Sequence, residues 1–167
     1  MNNTDGHCTI LDRNLFPEKL ETILEQDRTV FLAILWVRIE SIRECKLSKE
    51  EETELLSSGW DQFLQHFTLP CEGLRLGWRE FWVIIEEDDR EKIVTAFKDL
   101  FAIWDASSMP NLWHVRFTNL HASESRNLDT IRDFEWGAVK TVEYSTRNPR
   151  EKLFEVHVDS KSHTVIL

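Results

Sequence analysis

The chain has 167 residues, is 41% hydrophobic and carries a formal charge of −10 at pH 7, which suits one domain with a real core. The acidic excess argues against a nucleic-acid backbone or an anionic membrane as main partner, because both are polyanions and no basic patch is visible to offset the repulsion. The longest apolar run, "TVFLAILWV" (29–37), is far short of the roughly 20 residues needed to cross a bilayer, and the N-terminus lacks the basic-then-apolar pattern of a secretion signal, so a cytoplasmic protein is expected.

In chain order, "LFPEKLETILEQ" (15–26) places Phe16, Leu20, Ile23 and Leu24 at helical spacing, with Pro17 near the start where a missing N–H costs little. The run "RTVFLAILWVRIE" (28–40) is continuously apolar and rich in β-formers, the pattern of a strand covered on both faces. Ser48 stands three residues before Glu51, a capping box that opens an amphipathic helix over 47–67. Strands follow near 73–77 and 80–86, joined by a tight turn. A helix over 88–104 begins with acids at the positive end of its dipole. "LWHVRFTNL" (112–120) alternates as a strand does, 127–147 reads as a helix despite Gly137, and 152–167 closes as a second hairpin. Strands separated by helices, with adjacent hairpins, predict an α/β three-layer sandwich: a central mixed sheet, helices on both faces, a C-terminal β-hairpin, and one domain over 1–167.

Seven tryptophans and ten phenylalanines predict a large core, a sticky face, or both. Cys8, Cys45 and Cys71 are odd in number and widely spaced, which fits neither a disulfide framework nor a C-x-x-C site, so reduced thiols are expected. His157 and His163 flank a predicted turn and could face each other, but without a third ligand nearby they do not make a zinc site. The acidic groups at 49–54 and 86–91 lack the spacing of a calcium loop and suit solvated helix N-termini. None of the common motifs for nucleophilic, P-loop, zinc-protease or dinucleotide chemistry occurs.

Several short phrases carry a further signal. "DGHCTILDRNLF" (5–16) keeps Asp5, Arg13 and Phe16 of a D-x-L-T-G-L-x-N-R-x-x-F phrase; "RIESIR" (38–43) stands where D-x-D-x-F-K would; "GWREF" (77–81), followed by apolar "WVII", stands some forty residues on, at the hairpin turn. In order and spacing the chain resembles the GGDEF domain, the catalytic module of bacterial diguanylate cyclases. That resemblance implies a nucleotidyl-cyclase-like sandwich in which two divalent metals on the first strand and the turn hold GTP phosphates, and two domains face one another to make cyclic di-GMP. Such chemistry needs carboxylates for Mg²⁺ and glycines that let the backbone approach phosphate.

Here the first-strand metal aspartate falls at Arg38 and the turn's acidic ligand at Arg79, while the turn's second glycine becomes Trp78. Gly77, Glu80 and Phe81 remain of the turn; Glu40 and Arg43 are retained in kind, and the guanine-contacting asparagine falls at Lys46. The family's G-H-x-x-G-D phrase falls on "EEETEL" (50–55) and its inhibitory R-x-x-D on "TLPC" (68–71), with none of those charges or glycines in place. A guanidinium cannot be neutralised at working pH, so attraction for a metal becomes repulsion; neither a metal nor another cofactor is expected.

The resemblance therefore implies a catalytically inactive regulatory module in bacterial signalling. Its partner would be an unidentified protein contacted through Trp78 and Arg79, since aromatics and arginine are common in binding hot spots; Trp82, in a strand, suits the core. A homodimer is left open. One alternative is a receptor for GTP or cyclic di-GMP, with Arg38, Arg79 and Lys46 on phosphates and Trp78 stacking on a base. Another is a residual cyclase with a metal site rebuilt from Glu40 and Glu80, with Glu86 as an optional third ligand. Arg38 and Arg79 could instead pair with neighbouring acids such as Glu40 or Glu80.

Overall fold

The computed structural model of the protein describes residues 8–26, 30–75, 79–120, 150–157 and 162–167. The elements are β1 (Cys8–Ile10), a 3-10 turn (Arg13–Leu15), α1 (Phe16–Glu25), β2 (Val30–Val37), α2 (Ile39–Glu44), α3 (Lys49–His66), β3 (Cys71–Arg75), β4 (Glu80–Ile85), α4 (Arg90–Asp105), β5 (Trp113–Leu120), β6 (Leu153–His157) and β7 (Ser162–Val165). The helix expected over 127–147 lies outside the described residues, as does the tip of the closing hairpin.

All eight residues of β2 are apolar and all are buried, because the strand sits inside the sheet, hydrogen-bonded antiparallel to β4 on one side and β5 on the other. The full order is β1-β3-β4-β2-β5-β6-β7. The β1–β3 and β5–β6 pairs are parallel and the rest antiparallel, so the sheet is mixed, as expected. Two local features differ from expectation. Residues 8–10 form a three-residue strand that the sequence does not predict, and the strand expected through residue 40 ends at Val37, where the chain turns into α2. In the closing hairpin His157 opposes Ser162 and His163 opposes Val156. The two histidines are therefore not a cross-strand pair.

Helix starts follow the sequence signals. Ser48 Oγ accepts from the Glu51 N–H at 3.2 Å while Glu51 Oε2 accepts from the Ser48 N–H at 2.7 Å, completing the capping box of α3. At α4, Asp89 Oδ1 accepts from the Glu91 N–H at 3.0 Å.

Alternation along the strands divides the sheet into two faces. Phe31, Ala33, Leu35 and Val37 of β2 join Phe81, Val83 and Ile85 of β4 in the main core with Leu55, Leu56 and Phe63 of α3 and Ile93, Phe97 and Trp104 of α4. An aromatic column runs through it: Trp104 stacks on Trp113 at 5.4 Å, Trp113 meets Phe81 at 5.5 Å, Phe81 stacks on Trp60 at 4.3 Å, and Trp60 meets Phe63 at 5.2 Å. Much of the aromatic load is thus core. The column presses α3 so closely that a Cβ on Gly59 would stand 2.2 Å from Trp113 Nε1, and the Gly59 carbonyl accepts from Trp104 Nε1 at 3.3 Å.

The opposite face carries Leu32, Ile34, Trp36, Trp82 and Ile84, also buried. Helix α1 lies on this side, since its Lys19 pairs at 3.2 Å with Glu72, the β3 residue between the core-facing Cys71 and Gly73. Helices therefore flank both faces. No helix among the described residues is long and apolar enough to cross a membrane.

Candidate functional site

The candidate site is the root of the β3–β4 hairpin, where β2 ends. Pairing brings Leu74 opposite Trp82 and Arg75 opposite Phe81; Gly77 and Trp78 lie outside the described residues. Arg79 is fastened to the end of β2 twice: its carbonyl accepts from the Val37 N–H at 3.1 Å, and its Nη1 donates to the Val37 carbonyl at 3.1 Å. The residue after Val37 is Arg38, which is extended (φ −73°, ψ 135°) and buried just before α2 begins. The structure thus gathers Arg38, Arg79 and Glu80 at one end of the sheet. Glu80 lies opposite Trp36 in register, and its Oε1 accepts from Trp82 Nε1 at 2.7 Å.

The other predicted positions separate from this group. Glu40 and Arg43 lie on α2 rather than on a strand, and both are exposed. Lys46, also exposed, closes the helix in the left-handed region at φ 52°, its N–H donating to the Arg43 carbonyl at 3.1 Å. Phe81 and Trp82 are buried β4 residues, so Phe81 anchors the core instead of lining a turn. Glu86 follows the far end of β4 from Glu80, about 20 Å away at strand rise. Glu86 is therefore too far from Glu80 to share an ion with it, and among the described residues no three such side chains gather around one.

Three basic side chains absent from the sequence reading complete the region. Arg116, on β5 opposite Ile34, is 2% exposed and lies over the Trp36 ring at 5.6 Å. Burial pushes its pKa down to about 9, with the Glu80 carboxylate opposing the shift. His114, opposite Trp36, stacks on that indole at 5.3 Å and meets the Glu151 carbonyl through Nδ1 at 3.0 Å. Its pKa falls to about 4 through burial and the nearby charges of Lys152 and Arg38, so the ring is neutral; Nδ1 then donates and Nε2 carries the lone pair. Lys152 is likewise held below its ordinary value by burial and by Arg38. The chemistry of this end of the sheet is cationic and aromatic, with the Glu80 carboxylate acting on Arg116.

Comparison with known proteins decides the architecture. No family model matches the sequence, and no curated protein matches it. Solved structures do. The GGDEF domain of DgcB from Caulobacter crescentus, in complex with c-di-GMP, superposes with a TM-score of 0.68 at 15% identity, over 93% of this chain and 96% of that one. The fold is that of the GGDEF domain. The active GGEEF domain of a diguanylate cyclase from Vibrio cholerae gives a TM-score of 0.67 at 12% identity, over 89% and 96% of the two chains. The c-di-GMP-bound S helix-GGDEF-EAL portion of Vibrio cholerae LapD gives 0.63 at 15% identity, over 93% of this chain and 36% of that one.

The GGDEF fold brings with it the question of divalent metal. Among the described residues no group of three or more His, Cys, Asp or Glu side chains is placed to hold an ion. Arg38, Arg79, Arg116 and Lys152 do not fit a dication: each would repel it, and ammonium and guanidinium groups offer no lone pair while protonated.

Proposed function

We propose that this domain is a GGDEF fold without cyclase activity, acting as a docking or regulatory module for a signalling protein in bacterial cyclic di-GMP-related signalling. The observation that carries the reading is the pair of arginines at the hairpin root. Arg79 is tied to Val37 by two hydrogen bonds, and Arg38 is buried beside it. Two-metal phosphoryl chemistry needs negative charge at the site, and here the resemblance puts positive charge at both metal-holding positions. The sequence puts Trp78 beside Arg79, and an aromatic next to an arginine is a common pairing in protein contacts.

A turnover assay with GTP and Mg²⁺ or Mn²⁺ tests the first half of the proposal. No cyclic di-GMP or pyrophosphate is expected, and measurable product refutes it. Affinity capture from the source cells tests the second half: a specific protein retained by the native domain should be lost with Trp78→Ala. Equal capture by both forms refutes docking through the tip.

One observation favours a second reading, a receptor for GTP or cyclic di-GMP. Arg38 and Lys152 are close enough to depress the Lys152 pKa, and an anion between such cations relieves their repulsion. Titration calorimetry with each nucleotide, with and without Mg²⁺, separates the two readings. Heat at micromolar ligand that disappears with Arg38→Gln supports the receptor, and none at millimolar ligand eliminates it.

A further inference from the structure

We propose that Cys8 and Cys71 form a redox clasp, two thiols that close to a disulfide and fasten the edge strand β1 to β3. The two residues are 63 positions apart in sequence yet are direct register partners in the parallel β1–β3 pair. Neighbouring strands lie about 4.8 Å apart, inside the Cα separation that disulfides span. Both side chains are on the core-facing side: Cys71 is 4% exposed and belongs to the core, and Cys8 is partly buried and packs against it. Gly73 leaves the adjacent space open, for a Cβ there would come within 3.4 Å of Cys8 Sγ. Both thiols are free. Cys8 Sγ donates to the Thr9 carbonyl at 3.9 Å, and the neighbouring Cys8 thiol, followed by burial, raises the Cys71 pKa.

The arrangement divides the chemistry. Cys8 is the more accessible thiol and meets the oxidant, while Cys71 is held behind it as the resolving group. With hydrogen peroxide as oxidant, the Cys8 thiolate attacks one oxygen, the O–O bond breaks, and Cys8 sulfenic acid and water result. Cys71 sulfur then attacks the Cys8 sulfur, its proton leaving with the sulfenic hydroxyl as a second water. The sum is two thiols and one peroxide giving one disulfide and two waters. Closure matters because β1, among the described residues, is held by three residue pairs, Cys8↔Cys71, Thr9↔Glu72 and Ile10↔Gly73, extended by the Leu11 N–H to the Gly73 carbonyl at 2.7 Å. A covalent link converts this short edge into a fixed part of the sheet, and the same strand β3 leads into the hairpin.

The test uses the full chain treated with hydrogen peroxide in slight excess. Thiols titrated after unfolding should fall from three per chain to one, and a proteolytic map should contain a Cys8–Cys71 linked peptide, two hydrogen atoms lighter than the sum of its parts. The oxidised protein should melt several degrees higher, revert on adding dithiothreitol, and show no rise with Cys8→Ser. Cys45→Ser should leave the linked peptide intact. The proposal is overturned if the linkage found involves Cys45, or if Cys8 and Cys71 both remain alkylatable after the exposed Cys45 has been oxidised.

Discussion

Gly59 sits inside α3, where replacing glycine with alanine ordinarily stabilises a helix by about 1 kcal/mol. Here the packing predicts the reverse sign. A Cβ at Gly59 would stand 2.2, 2.4 and 2.6 Å from three atoms of the Trp113 indole, where carbon contacts normally sit at about 3.5–4.0 Å, so the ring would have to retreat by about 1 Å or more. It has little room to do so: Trp113 is 2% exposed, with Trp104 at 5.4 Å and Phe81 at 5.5 Å. Overpacking of this kind costs about 1–3 kcal/mol, and a clash this deep belongs at the upper end. Net of the helix gain, Gly59→Ala should lose about 1–2 kcal/mol, roughly 2–8 °C in melting midpoint for a chain of this size. Urea unfolding followed by circular dichroism measures it. Repeating the substitution in a Trp113→Leu background should recover the helix gain, giving a coupling of about 2–3 kcal/mol between the sites. A Gly59→Ala protein more stable than the parent would refute the close-packing argument.

Other expectations follow from the same geometry. The folded pKa of His114, about 4, lies below the unfolded value of 6.5, so the unfolded chain takes up the extra proton and stability falls as pH drops from about 6.5 to 4, by an amount on the order of 3 kcal/mol; His114→Phe should flatten this part of a pH series of urea midpoints. Arg90 Nε donates to the buried Glu155 carboxylate at 2.9 Å, and Arg90→Met should cost about 1–2 kcal/mol once the solvent-open side of the arginine is discounted, measured against Glu155→Gln and the double variant. Lys46 is the one non-glycine described residue at positive φ, so Lys46→Gly should raise stability by about 0.5–1 kcal/mol in a thermal melt. Ser48→Ala removes the α3 cap and should lower it by about 1 kcal/mol.

What could be read directly were the features written in local sequence. Ser48 and Glu51 announced the start of α3, and the uncharged run at 30–37 announced a strand buried on both faces. The start of α2 is legible in part: Ile39 and Ile42 are three apart, a helical spacing, but the apolar run before them extends the strand pattern into "RIESIR". His114 and Arg116 carry no sequence signal for a different reason. Alternation in a strand normally turns polar residues toward water, whereas the second face of this sheet is covered, so both are buried against Trp36 and Phe154 instead of being solvated. The meetings of Cys8 with Cys71 and of Arg90 with Glu155 depend on strand order across more than sixty residues, which no local pattern encodes. Of the hairpin site, Arg38, Arg79 and Glu80 do converge, while Glu40, Arg43 and Lys46 occupy a short exposed helix and its end.

The place of Phe81 gives the hairpin an optical consequence. Its ring lies between Trp60 and Trp113, and Trp113 in turn touches Trp104, while its backbone immediately follows Arg79 and Glu80. Indoles this close exchange excitation, so their emission reports on the group together. Anything that pulls on the loop is thereby wired to an internal fluorophore, and an unlabelled sample should signal engagement of the tip by a change in colour or intensity.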